Sequence, residues 1–555
     1  MDYAEAVAAV TAPGQRYETE RIVVDGVELT AFRDVPSSLR ELFGSLRGRE
    51  GTFLVYEDER WSFEEFVARM DALGAALVER YGVGPGDRVA VGMRNYPEWV
   101  VAAGATASVG AVLVSLNAWW TEDELDYALG DATPTVLIAD QERVERTGAA
   151  CEQRGVRTIG VRLGDGEVPQ GVDRWEEVVR PGAALPEVDV APDDDATILY
   201  TSGTTGRPKG AVSTHRAVLQ ALAGFGCRTA VGRVLHPDES PRTAGPPVFI
   251  LVVPLFHVTG FVPVLLSCVG NGLKLVMMYR WEADRALELI EREKVTNFVG
   301  VPTQSWDLLE SPRFADTDTS SLVSVGGGGA PAPPELVKRV ASSFRQGRPS
   351  IGYGMTETNA YGPQNSGRDY VTHPTSTGRA TPILEISVRD DDGSPLPTGT
   401  RGEIWFKGPH LIRGFWNRPD ATAESIVDGW LRTGDIGRVD DEGFVYVEDR
   451  AKDMVLRGGE NVYCAEVEAA IYEHPAVYEA AVFGVPHERL GEEVAAAVFP
   501  RPGTTVDADE LRRHVGERLA GFKVPTRVVV LDSQLPRNAS GKILKRQLRD
   551  EVAQG

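Results

Sequence analysis

Hydrophobic positions along most of this chain repeat with two different spacings. Short apolar runs rich in β-branched residues, with the length of buried strands, occur at residues 87–93, 135–139, 196–200 and 248–253. Stretches with apolar residues every three or four positions, as in amphipathic helices, occur at residues 63–80, 99–109 and 283–293. Strands that alternate with helices predict an α/β fold with largely parallel sheets.

The pattern changes after residue 383. Residues 384–448 form short strand-like runs separated by turn-forming dipeptides, which predicts a small β-rich subdomain. The charged segment DRAKD at residues 449–453 has the composition of a linker. We therefore predict an N-terminal domain at residues 1–449, a hinge at 450–453 and a C-terminal domain at 454–555.

The last hundred residues carry their own compact pattern. A helix is predicted from Val467, Ala470 and Ile471, which share one face, and a second helix from Leu511, Val515 and Leu519. Strands are predicted at residues 480–485, 493–499 and 527–531. This length is sufficient for a separate domain.

Residues 248–269 carry no formal charge and are long enough to span a bilayer. Two prolines, a glycine and His257 interrupt the run, however. We predict a buried strand through Val253, then a turn and a buried helix, in a soluble chain.

Composition narrows the possible partners. Lys and Arg number 58 and Asp and Glu 81, a net charge of −23, which disfavours nucleic acid and anionic membranes as partners. With 42% hydrophobic residues the chain is an ordinary globular protein. The four cysteines form no C-x-x-C pair, which predicts neither a zinc site nor a disulfide framework and favours a reducing cytoplasm. Because the net charge is negative, any site for a polyanion must be built locally, from backbone N–H groups, a few placed cations and a metal ion.

The strongest local signal is YTSGTTGRPKG at residues 200–210, directly after a predicted strand. Small residues let backbone N–H groups converge on one point, hydroxyls add donors, and a lysine adds positive charge, as nucleotide phosphates require. The spacing is not the G-x-x-x-x-G-K-[ST] loop of common NTPases. By composition alone, the stretch also suits a flexible turn. The candidate phosphate-binding residues are Thr201, Ser202, Gly203, Thr204, Thr205, Gly206 and Lys209.

The full string resembles the signature loop of the adenylate-forming superfamily, which includes acyl- and aryl-CoA synthetases, adenylation domains of nonribosomal peptide synthetases and beetle luciferases. Further motifs that resemble this family follow in its order, from about residue 50 to residue 547. The resemblance implies a large N-terminal domain of two parallel-type α/β sheets with a small β-rich subdomain, and a small mobile C-terminal α+β domain.

The resemblance assigns nucleotide-binding roles to several motifs. Glu357 is expected to position Mg²⁺ and Thr356 to reach the α-phosphate, while Asp435 and Arg450 contact the ribose. Taken alone, Asp435 is better explained as an ordinary turn residue than as a ribose ligand. Backbone and ring contacts with adenine and its neighbouring groups are expected from Gly328, Gly329, Ala330, Pro331, Gly352, Tyr353, Gly354 and Met355.

Three C-terminal features complete the implied machinery. Lys542, in PRNASGKI, resembles the catalytic lysine that the C-terminal domain delivers, although a lysine near a C-terminus is ordinarily a solvated charge. Lys452 resembles the family's hinge residue. Gly458 and Gly459 resemble the face presented to the pantetheine arm of coenzyme A, or form a simple turn.

The acid to be activated is indicated only broadly. His257 resembles the family's gate beside the acyl pocket; the alternative is a hydrogen-bonded core histidine. No aspartate accompanies it to pair with an ammonium group, which argues against α-amino acids. Further pocket residues implied by the resemblance are Val299, Gly300, Val301, Gly326 and Gly327. The two last glycines favour a medium- or long-chain fatty, alicyclic or aryl acid over acetate.

The resemblance therefore implies an ATP-dependent, cytoplasmic acid–CoA ligase that needs Mg²⁺, with ATP and CoA as co-substrates and no nucleic-acid or integral-membrane partner. A homodimer is compatible with the sequence. Three alternatives stay open at this stage: an enzyme that loads an acyl carrier protein, one that activates an unusual nucleophile or oxyanion, as diazo-forming members do, and a binding protein with an inactive site.

Overall fold

Two eight-stranded sheets are built from the alternating part of the chain. The computed structural model describes residues 1–201, 207–239, 245–450, 453–457, 460–539 and 541–554. Within each of these sheets, five of the seven neighbouring strand pairs are parallel, and the antiparallel pairs lie towards the edges. The predicted α/β class and its largely parallel sheets are confirmed.

The strands of the two sheets interleave along the sequence. In sheet order, the first contains Gly414–Phe415, Gly210–Thr214, Asp195–Tyr200, Val112–Ser115, Arg88–Gly92, Val136–Asp140, Arg157–Val161 and Val172–Arg174. The second contains Gln364–Ser366, Arg348–Gly352, Ser324–Gly328, Asn297–Gly300, Val248–Leu251, Lys274–Met277, Thr52–Tyr56 and Glu59–Ser62. A separate hairpin pairs Thr19–Val24 with Val27–Phe32.

Helices cover these sheets and bury most of their apolar faces in a large core and a smaller separate one. Helix Phe63–Glu79 is an example of a helix that the sequence pattern predicts well. Ser62 and Glu65 form a capping box at its start, and its apolar side is buried. The helices up to residue 425 are Tyr3–Thr11, Leu39–Gly44, Phe63–Glu79, Pro97–Ser108, Glu122–Ala132, Gln141–Arg154, Trp175–Val178, His215–Leu235, Ser267–Asn271, Ala283–Glu293, Pro302–Glu310, Pro334–Ser343, Gly367–Thr372 and Pro419–Ser425. Short 3₁₀ turns lie at Pro237–Glu239, Phe314–Asp316 and Thr356–Thr358.

The long uncharged run folds into the interior as predicted. Its first part is the strand Val248–Leu251, and its second part is a wide helical turn, Gly260–Leu266, that continues into Ser267–Asn271. Most of its side chains are buried in the main core. In the part of the chain that the structure describes, no helix has both the length and the apolar character needed to cross a bilayer.

The β-rich subdomain is a five-stranded antiparallel sheet. Its strands are Glu385–Arg389, Gly402–Lys407, Ile426–Val427, Trp430–Val439 and Val445–Arg450. Asp449 and Arg450, which the charge pattern assigned to a linker, are the last residues of a strand. Cross-strand pairing with Trp430–Val439 holds them there and places Arg450 opposite Asp435.

The smaller C-terminal domain is an α+β unit with its own core. Its sheet contains Glu460–Val462, Val455–Arg457, Gly491–Pro500, Val477–His487 and Arg527–Val530. Its helices are Cys464–Tyr472, Ala508–Gly516 and Lys545–Gln554, with a 3₁₀ turn at Gly521–Lys523. The second helix ends before Leu519, which nevertheless packs against the same core as the apolar spacing suggested.

Candidate active site

A cavity of about 1030 Å³ lies between the two domains. The N-terminal domain contributes Gly329, Ala330, Pro331, Gly352, Tyr353, Gly354, Met355, Asp435 and Arg450 to its walls. The C-terminal domain contributes Gly541 and Lys542. Motifs that are more than two hundred residues apart in the sequence therefore line one space.

Asp435 is the centre of a buried polar network on one wall. Its side chain is 3% exposed, and each carboxylate oxygen has a partner: the Tyr353 hydroxyl donates to Oδ2 at 2.5 Å, and Arg450 Nε lies 3.2 Å from Oδ1. Burial raises the pKa of Asp435, and the Arg450 guanidinium opposes this shift. The carboxylate is thus oriented by Arg450 on the neighbouring strand Val445–Arg450 and by Tyr353, which directly follows strand Arg348–Gly352.

Lys542 reaches the cavity from a tight turn. Its backbone N–H donates to Asn538 Oδ1, and its carbonyl accepts the Asn538 N–H, both at 2.9 Å. Arg537 anchors the turn by an ion pair of 3.0 Å with the buried Glu479. Burial lowers the pKa of Lys542 to about 8, and the positive charge of Arg450 acts in the same direction. An anionic ligand here would offset both effects.

Glu357 lies in the 3₁₀ turn Thr356–Thr358, which Asn359 holds in place. Asn359 has a left-handed φ of 53° and is fully buried; its amide donates to the His410 carbonyl at 2.9 Å and accepts the Ser213 hydroxyl at 3.0 Å. Burial raises the pKa of Glu357, whereas Arg450 and Lys209 lower it.

This arrangement fits a magnesium ion that arrives with a nucleotide. Among the described residues, no three or more His, Cys, Asp or Glu side chains are grouped so as to hold a metal by themselves. Mg²⁺ is commonly held by one or two carboxylates, with phosphate oxygens and water completing its octahedron. Glu357 supplies the carboxylate of such a donor set.

The base of the predicted phosphate loop is a closed hairpin. Strands Asp195–Tyr200 and Gly210–Thr214 pair antiparallel, and the Thr201 N–H donates to the Lys209 carbonyl at 2.9 Å. Lys209 Nζ lies 5.0 Å from the centre of the Phe415 ring. The remaining predicted loop residues, Ser202, Gly203, Thr204, Thr205 and Gly206, lie outside the described residues, as do Lys452, Gly458 and Gly459.

His257 lies between strand Val248–Leu251 and the helical turn Gly260–Leu266. Its Nδ1 accepts the Thr259 N–H at 3.3 Å, which assigns the proton of the neutral ring to Nε2. Burial lowers the pKa of His257 to about 4, and the Lys542 ammonium adds to the shift. The ring is therefore neutral at physiological pH and close enough to Lys542 to sense its charge.

The predicted acyl-pocket residues lie on neighbouring strands. Val299 and Gly300 end strand Asn297–Gly300, which pairs with the strand containing Gly326 and Gly327. An added Cβ at Gly326 would lie only 2.6 Å from Ser350 Oγ, so a neighbouring side chain already fills that space. At Gly327 it would meet only Pro302, at 3.7 Å or more. Of the two glycines that were predicted to leave room for a large acid, only Gly327 therefore has free space beside it.

Comparison with known proteins agrees with this geometry. The family model "AMP-binding enzyme" matches residues 46–416, and the model "AMP-binding enzyme C-terminal domain" matches residues 466–542. The chain belongs to the AMP-binding enzyme family. The predicted membership of the adenylate-forming superfamily, in its acyl-CoA synthetase branch, is thereby confirmed.

Relatives of this AMP-binding enzyme extend over nearly its whole length. It is 37% identical over 505 residues to a feruloyl-CoA synthase of Amycolatopsis sp., covering 90% of this chain and 94% of that protein. It is 35% identical over 493 residues to a long-chain-fatty-acid–CoA ligase of Mycobacterium tuberculosis, covering 88% and 93%. The solved structure of ATP-bound MatB from Rhodopseudomonas palustris superposes with a TM-score of 0.80 at 32% identity, covering 93% of this chain and 99% of that one.

Contacts between the two domains of this AMP-binding enzyme were not predicted from its sequence. The Tyr478 hydroxyl donates to Asp307 Oδ1 at 2.7 Å, and Arg501 Nη1 lies 2.9 Å from Glu310 Oε1. Each pair joins a residue of helix Pro302–Glu310 to the C-terminal sheet or its following turn. Ordinary surface charges and a strand tyrosine give no local signal that would identify such partners.

Gly541 is a further site residue that the motif alone did not explain. It adopts a φ of +81°, and an added Cβ would lie 2.8 Å from Val301 Cγ2 in the other domain. Glycine is thus required both by the backbone and by the close approach of the two domains. The only signal in the sequence was its position directly before Lys542.

We therefore expect Gly541→Ala to slow acyl-AMP formation by about tenfold or more, because a Cβ strains the turn and pushes Lys542 away from the cavity. ATP–pyrophosphate exchange measures this step. Gly399→Ala is the matched control, since Gly399 has the same φ of +81° but no atom within 4 Å of the added Cβ. Equal exchange rates in the two variants would contradict this role for Gly541.

Proposed function

We propose that this enzyme joins a medium- or long-chain fatty, alicyclic or aryl acid to coenzyme A through an acyl-AMP intermediate. The chain is an ATP-dependent, AMP-forming acid–thiol ligase. The observation that carries the proposed division of labour is the position of Lys542, which the C-terminal domain brings into the same cavity as Tyr353, Asp435 and Arg450.

In the first half-reaction, a carboxylate oxygen of the acid attacks the α-phosphorus of ATP, and the bond to the bridging oxygen of pyrophosphate breaks. Two anions must approach each other, so positive groups lower the barrier. Lys542 lies between them and neutralises charge on the carboxylate and the α-phosphate. The Thr356 hydroxyl donates to the α-phosphate, and Lys209, with its hydroxyl-rich loop, retains the departing pyrophosphate.

Glu357 is proposed to hold Mg²⁺ together with the phosphate oxygens of ATP. The bound ion would neutralise phosphate charge and orient the leaving group. The carboxylate is supported for this role by Asn359, which fixes its turn, and by its position near Lys209 and Arg450. Asp435 and Arg450 hold the ribose, and Tyr353 with the glycine-containing turns 328–331 and 352–354 encloses the adenine.

In the second half-reaction, the thiolate of coenzyme A attacks the acyl carbonyl, and AMP leaves. We propose that the C-terminal domain turns about Lys452 between the two steps, which removes Lys542 and presents Gly458 and Gly459 to the pantetheine arm. His257, neutral and partly buried, lines the entrance to the acyl pocket. Its lack of charge suits an apolar acyl chain or ring.

The class of acid is supported by the pocket and by the relatives. Gly327 leaves room beside Pro302, and Phe256 and Val258 flank His257 without a carboxylate that could bind an amino acid's ammonium group. The relatives named above act on an aryl and on a long-chain fatty acid. A role in fatty acid metabolism belongs to this proposal, as does a cytoplasmic location, which the four free cysteines support.

A pyrophosphate-release screen tests the substrate and the acceptor together. Fatty acids of increasing length, alicyclic acids and hydroxycinnamic acids are offered, each with and without coenzyme A. We expect the preferred acid to give sustained turnover only with coenzyme A, and thioester formation is checked by mass spectrometry. If turnover requires an acyl carrier protein or an amine instead, that compound and not coenzyme A is the acceptor, and this part of the proposal is wrong.

Replacing the catalytic lysine separates the two half-reactions. We expect Lys542→Ala to lower the rate of acyl-AMP formation by about 10²–10³-fold, the usual effect of removing one positioned donor to developing charge. Thioester formation from supplied acyl-AMP is expected to stay close to wild type. An equal loss in both half-reactions would contradict the proposed division of labour.

The pH dependence follows from the buried ammonium. Since the pKa of Lys542 is lowered to about 8, the charged form predominates below that pH and is lost above it. We expect kcat/KM for acyl-AMP formation, which reports the free enzyme, to fall as the pH rises through about 8. Lys542→Arg stays charged throughout and should lack this alkaline decline, whatever its absolute rate. An unchanged decline in that variant would assign it to another group.

A further inference from the structure

The first helix of the C-terminal domain is capped by a carboxylate from the N-terminal domain. Helix Cys464–Tyr472 follows Tyr463, whose side chain makes no capping hydrogen bond. Instead, the backbone N–H of Cys464 donates to Asp449 Oδ2 at 2.5 Å. Free N–H groups at a helix start carry partial positive charge, so an anionic acceptor there makes a strong contact.

Asp449 belongs to the N-terminal side of the predicted hinge. It is the penultimate residue of strand Val445–Arg450, is paired with Ile436 and is 8% exposed. The chain then passes through residues 451 and 452, and the C-terminal sheet begins at Val455. The donor and the acceptor of this hydrogen bond therefore lie on opposite sides of the point where we place the rotation.

Other groups of the C-terminal domain reinforce the contact. Burial raises the pKa of Asp449 to about 6, and Lys545, at the start of the last helix and 2.7 Å from Glu468, opposes this shift. The second oxygen of Asp449 accepts the N–H of Arg450 at 2.8 Å. The carboxylate is thus hydrogen-bonded at the same time to its own strand and to the first helix of the other domain.

We propose that Asp449 is a positioning residue that holds the C-terminal domain in the orientation in which Lys542 lines the nucleotide cavity. Asp449 touches no reacting group; it acts through the lysine. A rigid rotation about residues 450–453 separates Asp449 from the Cys464 N–H, so this contact favours one of the two orientations. The proposal rests on the function proposed above, because only a two-step ligase uses both orientations.

One substitution abolishes this hydrogen bond while the helix keeps an allowed backbone conformation. Cys464→Pro deletes the N–H at the first position of the helix, where proline is well tolerated. The proline ring carbon takes the place of the amide hydrogen, so the Asp449 carboxylate must also move aside. The preceding residue, Tyr463, has φ −85° and ψ 117°, the extended conformation that a following proline requires. Cys464→Ala is the matched control, because it also removes the thiol, with its contact of 3.1 Å to the Asp453 carbonyl, but keeps the N–H.

We expect Cys464→Pro to slow acyl-AMP formation by about tenfold relative to Cys464→Ala, as for the loss of one hydrogen bond to a charged group. Transfer from supplied acyl-AMP to coenzyme A should be unchanged or faster. The melting temperature should differ little between the two variants. Equal effects on both half-reactions would assign the bond a merely structural role and overturn the proposal.

A conformational measurement makes the test independent of turnover. The four native cysteines are buried, so dyes can be attached to cysteines introduced at the exposed Glu424 and Glu488, one in each domain. Single-molecule energy transfer should show a second distance population that grows in Cys464→Pro and not in Cys464→Ala. Identical distributions would overturn the proposal even in an enzyme of proven activity.

The experiments distinguish a failure of the proposed function from a failure of the proposed role of Asp449. If wild type forms no acyl-AMP from any acid, the proposed function fails, while the distance distributions still decide whether Asp449 holds the domain. If Cys464→Pro does not fold, Asp449→Asn replaces it. That variant keeps the size and removes the charge, and we expect a smaller shift in the same direction. No shift in Asp449→Asn would then overturn the proposal.

Discussion

Repulsion between anions is the constraint on which this structure depends. A carboxylate must reach a triphosphate inside a chain whose own net charge is −23. Long-range attraction is therefore unfavourable, and the positive charge has to be concentrated where the reaction occurs. Lys209, Arg450 and Lys542 meet this need, and each is placed by a different part of the fold. Glu357 lies near Arg450 and Lys209, and Asp435 orients Arg450 through an ion pair of 3.2 Å.

Burial has two opposite effects on these few cations. A cation removed from water interacts more strongly with phosphate, but its charged form is destabilised. Lys542 shows the second effect directly, since burial and Arg450 lower its pKa to about 8. This lysine is carried by a separate domain, so the rotation proposed above would place it in the low-dielectric site only for the first half-reaction.

Polar contacts join the two domains in the orientation of this structure. Gly541 allows the lysine turn to approach Val301, and the pairs Tyr478–Asp307 and Arg501–Glu310 join the domain surfaces on one side of the cavity. Asp449 adds a contact next to the hinge itself. None of these contacts buries a large apolar surface, and the proposed rotation would have to break only these polar bonds at the contacts named here.

Much of the fold could be predicted because strands and helices follow local spacing. Helix Ala283–Glu293 was predicted to the residue, and the uncharged run at 248–269 was correctly assigned to the interior. Charge composition misassigned Asp449 and Arg450 to a linker, since it carries no information on the strand Trp430–Val439 that pairs with them.

The sequence by itself determined the secondary elements, the family motifs and the chemical types at the site. Only the tertiary structure decided which of them meet: that Ser350 fills the space at Gly326, that the Cys464 N–H faces Asp449, and that Asp435 is held by Tyr353 and Arg450. The reason is physical. Periodicity and turn chemistry act over a few residues, whereas these contacts join segments whose separation in the chain bears no relation to their separation in space.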